Sequence, residues 1–370
     1  MMSLTLCLSL IPGCGGGGGE IQSLMQPNIN TVTNSGANPG NTNNQAAHVV
    51  YSIVGNGNYE LHVMDLGGKN GIQLLSATGT SLFDFDANDT SPIIVYSIGV
   101  LFDNDIFSVN SDGTSKIKLA NNSYNEYSPK LSADNSKIFF NRSIPLPDDV
   151  YHFNIFSVSP TGTQEKQYLD STLRISVSPF EIAPDESFAI YPDTLINTKK
   201  IIKYDAATTK ETILFSSGTF STHFYISPDS KKILIFTDYN ASGAYSKLHV
   251  MDPSGKDILT LSKVLFSNAA WAPDSDRFAY IDYTSTNGFM VNIYSMNSKT
   301  TTLIKSGKDF MYIPLDWADD GSKILAFKGD LSGSDTSDLV YFNPDGTNET
   351  LVKHFNADPD KGLGMAYFVK

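Results

Sequence analysis

Residues Thr222–Leu261 read THFYISPDSKKILIFTDYNASGAYSKLHVMDPSGKDILTL. The apolar and β-branched runs predict strands at Thr222–Ile226, Lys232–Thr237, Lys247–Asp252 and Ile258–Leu261. Between the first two stands Ser227-Pro228-Asp229-Ser230, and between the last two Pro253-Ser254-Gly255. Proline fixes φ and aspartate bonds its own backbone, so each run closes a tight turn. Asp238–Ser246 is the longer loop between the second and third strands.

The same unit recurs along the chain, and self-similarity at such a period decides a fold before any local detail does. Its first-turn aspartates are Asp89, Asp134, Asp185, Asp229, Asp274 and Asp320, spaced 44 to 51 residues apart. A third strand follows in each copy: Asp105–Asn110, Asn154–Ser159, Lys200–Asp205, Lys247–Asp252, Val291–Asn297 and Asp338–Asn343. A seventh unit is split. Val49–Ile53, Tyr59–Asp65 and Ile72–Leu75 supply its last three strands, and Gly364–Val369 supplies its first.

Four-stranded sheets repeating at 40-odd residues indicate an all-β fold, a β-propeller of four-stranded antiparallel blades. Pairing the N- and C-terminal strands closes the ring and leaves no free edge at the join. The 324 residues from Ala47 to Lys370 give about 46 per blade for seven blades. Six or eight stay open, because the first unit is the least regular. The succession of apolar-[Ser/Ala]-Pro-Asp, a strand, and a strand-plus-turn such as LHVMD-PSG resembles the WD-like propeller repeat of TolB and its relatives. That resemblance covers the propeller region and implies the fold. In TolB an N-terminal α/β domain precedes the propeller; here residues 14–46 read as a tether in that place.

The beginning of the chain reads as targeting. Leu4–Pro12 is an apolar run too short to span a bilayer, and it ends in Ile11-Pro12-Gly13-Cys14. This resembles a bacterial lipobox, which implies a signal peptide at 1–13, lipidation of Cys14 and a membrane anchor. An ordinary secretory signal is the alternative. Residues 14–46, rich in Gly, Asn, Ser and Thr, cannot bury enough surface to fold and form a flexible tether. Residues 47–370 form the propeller. The expected location is the bacterial cell envelope, at the outer membrane or the periplasmic face.

With 26 Lys+Arg against 39 Asp+Glu the chain carries a formal charge of −13. That disfavours a nucleic-acid partner, whose phosphates need neutralising by Lys and Arg. Cys14 would be the sole cysteine of a mature chain, so no internal disulfide and no cofactor is expected. The six histidines are scattered, and neither a GxSxG elbow nor an HExxH helix occurs. His62 and His249 share one third-strand slot, which reads as a structural position.

Besides a structural surface protein with no dedicated ligand, two readings of function remain. In the first the propeller is a binding or scaffold module for an envelope protein or glycan. Recognition would use the face that carries the loops between second and third strands, with Phe102, Asp103, Asp148, Asp149, Tyr151, Tyr239, Tyr245 and Asp330 as candidates. Loop-length drift is the plain alternative for any one of these loops. In the second reading the chain is a metal-dependent propeller enzyme, of lyase or lactonase type, with its site at the central channel. Asp84, Asp86 and Asp89 in DFDANDT are its candidate ligands. A one-residue shift that turns Phe83 and Phe85 inward explains the same spacing without a metal. Asn356, Asp358 and Asp360 read as the loop entering the closing strand, and Trp271 and Trp317 as residues that fill space between blades.

Overall fold

The computed structural model describes residues 48–370 apart from 56, 80–81, 101–102, 121, 146–150, 170–179, 194–199, 217–219, 238–244, 335, 357 and 359–361. Every regular element among them is a strand. The strands form antiparallel sheets in the order in which the chain makes them, apart from one. In the first sheet Gly362–Val369 pairs with His48–Gly55, followed by Asn58–Asp65 and Ile72–Thr78. The expected closure by strands from the two ends of the propeller is therefore present.

The second sheet is Leu82–Ala87, Ile93–Val100, Asp103–Asn110 and Ile117–Lys118. The third is Asn125–Leu131, Ile138–Pro145, Tyr151–Val158 and Lys166–Leu169, and the fourth is Glu181–Ile182, Phe188–Asp193, Lys200–Asp205 and Lys210–Ser216. The fifth has seven strands: Phe220–Ile226, Ile233–Thr237, Tyr245–Met251, Asp257–Trp271, Arg277–Thr284, Gly288–Ser295 and Thr300–Gly307. The sixth is Phe310–Trp317, Ile324–Asp330, Ser337–Phe342 and Thr350–Phe355.

The seven-stranded sheet differs from the expected separate units. Asp257–Trp271 serves as the last strand of one set through Asp257–Leu265 and as the first strand of the next through Val264–Trp271. No Gly or Pro interrupts 257–271, so the strand bends through a register shift between Leu265 and Ala269 rather than stopping.

The repeated turns behave as their chemistry dictates. Asp134, Asp185, Asp229, Asp274 and Asp320 each accept the backbone N–H two residues on, at 2.8–3.1 Å. The residue between, Asn135, Glu186, Ser230, Ser275 or Gly321, lies in the left-handed region at φ 57–73°. The aspartate bond holds four non-glycine residues in a conformation they otherwise avoid.

Neighbouring turns are also tied together. Asn88 Nδ2 donates to Asn135 Oδ1 at 2.8 Å, Lys137 pairs with Glu186, Asp185 N–H donates to Ser230 Oγ at 3.1 Å and Asp229 N–H to Ser275 Oγ at 2.9 Å. No turn joins Gly362–Val369 to His48–Gly55, and there the sixth sheet reaches the second directly: Asp319 N–H donates to Asp89 Oδ2 at 2.9 Å. The apolar core lies between facing sheets. Val95, Ile106, Ile138, Phe140 and Val158 fill the seam from second to third, and Phe139, Ile155, Ala189 and Tyr191 the seam from third to fourth.

Candidate functional site: charged residues on the innermost strands

The first strands of successive sheets lie side by side, so residues tens of positions apart meet there. In Leu82–Ala87, Phe85 is 1% exposed and stacks edge-on to Tyr367 of the closing strand at 5.3 Å. Strand alternation then sends Asp84 and Asp86 to the opposite face, toward Asn125–Leu131. The expected inward placement of Phe85 holds, and the side chain of Phe83 lies outside the described residues.

Asp86 Oδ2 accepts the Leu131 N–H at 2.8 Å, and Asp84 takes a hydrogen bond from the Ser128 side chain. Lys130 follows at a register shift between Tyr127 and Lys130, with Ser128 at φ 49°. A bulge of this kind re-aims the next side chain. The Lys130 ammonium meets Glu181 Oε1 of the fourth sheet at 3.0 Å, with both side chains less than a third exposed.

Burial raises the carboxyls of Asp84, Asp86 and Glu181, and Lys130 pulls each back down. Burial alone would lower the Lys130 ammonium, but Glu181, Asp86 and Asp84 hold it well above its ordinary value. One ammonium shared among three carboxylates is firmly charged, while the carboxylates remain short of positive charge. Burial also raises the Tyr367 phenol strongly.

A second acidic group sits at the closure. Burial pushes Asp316 up to about 7; its oxygens accept the Phe368 N–H and the Trp317 N–H, both at 2.8 Å. Burial and the adjoining Asp89 carboxylate push Asp319 up to about 7 as well. Asp89 therefore belongs to this closure and not with Asp84 and Asp86. Among the described residues no three of His, Cys, Asp and Glu converge in an arrangement that would hold a metal ion.

Of the loop-face candidates, Asp330 is half-buried and folds its own loop, accepting Ser332 N–H at 2.7 Å and Ser334 Oγ–H at 2.6 Å. Asp103, Tyr151 and Tyr245 stand on strands, with side chains outside the described residues. Phe102, Asp148, Asp149, Tyr239 and Cys14 lie outside the described residues altogether, as does Asp360. Trp271 and Trp317 pack as expected: their indole N–H groups donate to the Tyr225 and Gly321 carbonyls at 3.1 and 3.3 Å. His62 stacks on Tyr51, and His249 hydrogen-bonds with Asp257 and Thr237.

Sequence reasoning missed Lys130 and Glu181. A signal was there: Lys130, Glu181 and Asp316 each stand one residue before Leu131, Ile182 and Trp317, a column that is apolar in most copies. A charge recurring in one inner-strand slot is the mark of an axial network.

No protein-family profile matches the chain, and no curated protein matches it. Solved structures do. TolB from Acinetobacter baumannii aligns at TM-score 0.47 and 17% identity, over 71% of this chain and 65% of that one. A puromycin-hydrolyzing peptidase from Mycobacterium tuberculosis aligns at TM-score 0.56 and 9% identity, over 85% of this chain and 54% of that one. Oligogalacturonate lyase from Vibrio parahaemolyticus aligns at 0.53 and 11% identity, over 82% of this chain and 85% of that one. The chain thus spans between about half and two thirds of the length of the first two. At these identities the likeness is one of fold, an all-β propeller.

Proposed function

We propose that this chain is a cell-envelope lipoprotein, anchored through Cys14, whose propeller binds a protein or glycan partner through its loop face. The seven-stranded sheet resolves into two sets of four that share Asp257–Trp271, which supports seven blades. One observation carries the binding reading. The innermost carboxylates are already engaged internally, by Lys130 and by the backbone N–H groups of Leu131, Phe368 and Trp317. Carboxylates tied up in this way serve the scaffold, which leaves the variable loops as the surface proposed to recognise a partner.

The test uses the full chain expressed in its native envelope. Replacing Cys14 by Ala should abolish fatty-acid labelling, and persistent labelling refutes the anchor. A tagged chain should retain an envelope partner and lose it when 146–150 or 238–244 are shortened with the melting temperature unchanged. Retention by both shortened chains refutes the loop face.

The competing reading, a metal-dependent lyase or lactonase, rests on Asp84 and Asp86, although with Glu181 they gather about Lys130 and form no metal-binding group among the described residues. It requires stoichiometric metal in the purified protein and a loss of that metal in Asp86→Asn.

A further inference from the structure

The seam between the second and third sheets changes character along its length. Toward the first turns it is apolar, built from Val95, Ile106, Ile138, Phe140 and Val158. Ser97 stands two residues beyond Val95 and Asn104 two before Ile106, so both share the face that looks onto the third sheet. Opposite them, Arg142 stands two residues beyond Phe140 and pairs across the ladder with Glu126. Its guanidinium lies 4.2 Å from the Phe156 ring centroid, donates through Nε to Glu126 Oε1 at 2.9 Å, and forks onto Glu165 at 2.7 and 2.8 Å. Asn104 N–H donates to the side chain of Asn125, the neighbour of Glu126, at 3.0 Å, which brings the two sides together.

Three oxygens in this seam have no hydrogen-bond partner: Ser97 Oγ, Asn104 Oδ1 and Glu126 Oε2. Their residues are 1%, 1% and 0% exposed. An orphaned buried oxygen costs about 1–3 kcal/mol, so three in one seam argue for a bound group there. Two of the three can only accept, so the occupant must bring positive charge or protons.

The charges say which. Glu126 and Glu165 face Arg142, while Asp105, which adjoins Glu126, holds Lys118 at 2.7 Å, which leaves one negative charge in excess. Burial pushes Glu126 up to about 7, although the Asn122 amide and Arg142 lean the other way. A hydroxyl, an amide oxygen and a single carboxylate oxygen are hard ligands, too weakly charged for a transition metal or for a dedicated divalent site.

We propose that Ser97 Oγ, Asn104 Oδ1 and Glu126 Oε2 bind a monovalent alkali cation in the seam between the second and third sheets. The ion joins two sheets across a seam whose outer end leads into the loop after Ile138–Pro145.

The full chain is melted in sodium, potassium or choline chloride at matched ionic strength, well above neutral pH. Sodium or potassium should raise the melting temperature by about 2 °C over choline, the shift that occupancy at about ten times Kd gives a domain of this size. Glu126→Gln and, as a milder change, Ser97→Ala should each remove the difference between salts. Crystals soaked in thallium should show an anomalous peak at the three oxygens. Equal melting in all three salts, a salt difference that survives in both variants, or density for water alone at the three oxygens would each overturn the proposal. A water or a proton on Glu126 would then be the occupant.

Discussion

Replacing Lys130 by Met removes the only ammonium among the described residues that faces Asp84, Asp86 and Glu181. Methionine keeps the length and apolar stem of the side chain, so the change is chiefly one of charge. The three carboxylates would then keep the Leu131 N–H and the Ser128 side chain but lose their counter-ion. Breaking a buried pair from one side typically costs about 3–5 kcal/mol. Protonation sets a ceiling on that cost. A glutamate with an ordinary pKa of about 4.3 takes up a proton at about pH 7 for roughly 3.7 kcal/mol, so the loss per carboxylate cannot exceed that figure. The ceiling falls by about 1.4 kcal/mol for each pH unit toward acid.

The carboxyls of the variant sit above their unfolded values, so their contribution is complete below the unfolded pKa and is lost as pH rises through the folded one. The expected result is a deficit of about 3–4 kcal/mol near pH 7–8 that shrinks to about 1–1.5 kcal/mol near pH 5. Urea midpoints of the two proteins across that range measure it. Adding Glu181→Gln to the variant should recover part of the deficit, since it deletes one of the unpaired charges. A deficit independent of pH, or one that grows toward acid, would sink the account of Lys130 as the counter-ion of the axial carboxylates.

Arg142→Lys should cost about 2–3 kcal/mol by urea midpoint, because an ammonium cannot fork onto Glu165 while reaching Glu126 and stacking on Phe156. Glu349 is opposed by burial but held down to about 2 by Lys328, Lys305 and Tyr312, whose donors lie 2.8–2.9 Å away. Its contribution is therefore present above its unfolded pKa and lost as pH falls toward 2. Glu349→Gln should lower stability by about 1–2 kcal/mol near neutral pH and leave it unchanged near pH 2, as read from melting curves. Gly346 has φ 82°, and a Cβ there would run into the Ile304 carbonyl oxygen of the adjacent sheet. Gly346→Ala should cost at least about 2 kcal/mol, and Gly321→Ala about 1 kcal/mol, since the latter meets only Pro273 Cγ at 3.6 Å.

The turns were legible in the sequence because their chemistry is local. Asp229 bonds the N–H of Lys231 two residues away, and five copies of that arrangement recur at the repeat spacing. The split first sheet was legible for the same reason, since Gly364–Val369 has the pattern of a first strand and Val49–Ile53 that of a second. The merger of two sets through Asp257–Trp271 was not. Whether a strand stops or bends between two ladders depends on both partners, and the segment carries no Gly or Pro to decide it alone. Asp84 and Asp86 were visible as a cluster, yet their partner was hidden: Lys130 is 44 residues beyond Asp86 and stands on a bulge.

By itself the sequence determined the repeat, the tight turns and the closing of the ring, for each follows from backbone preferences and strand alternation within a few residues. The tertiary structure alone decided which charges share the axis. It set Lys130 against Glu181, parted Asp89 from Asp84 and Asp86, and aligned Ser97, Asn104 and Glu126 across one seam. The physical reason is that electrostatic partners are chosen by distance in space. Only the closed ring brings the first strands of different sheets within a few ångströms of one another.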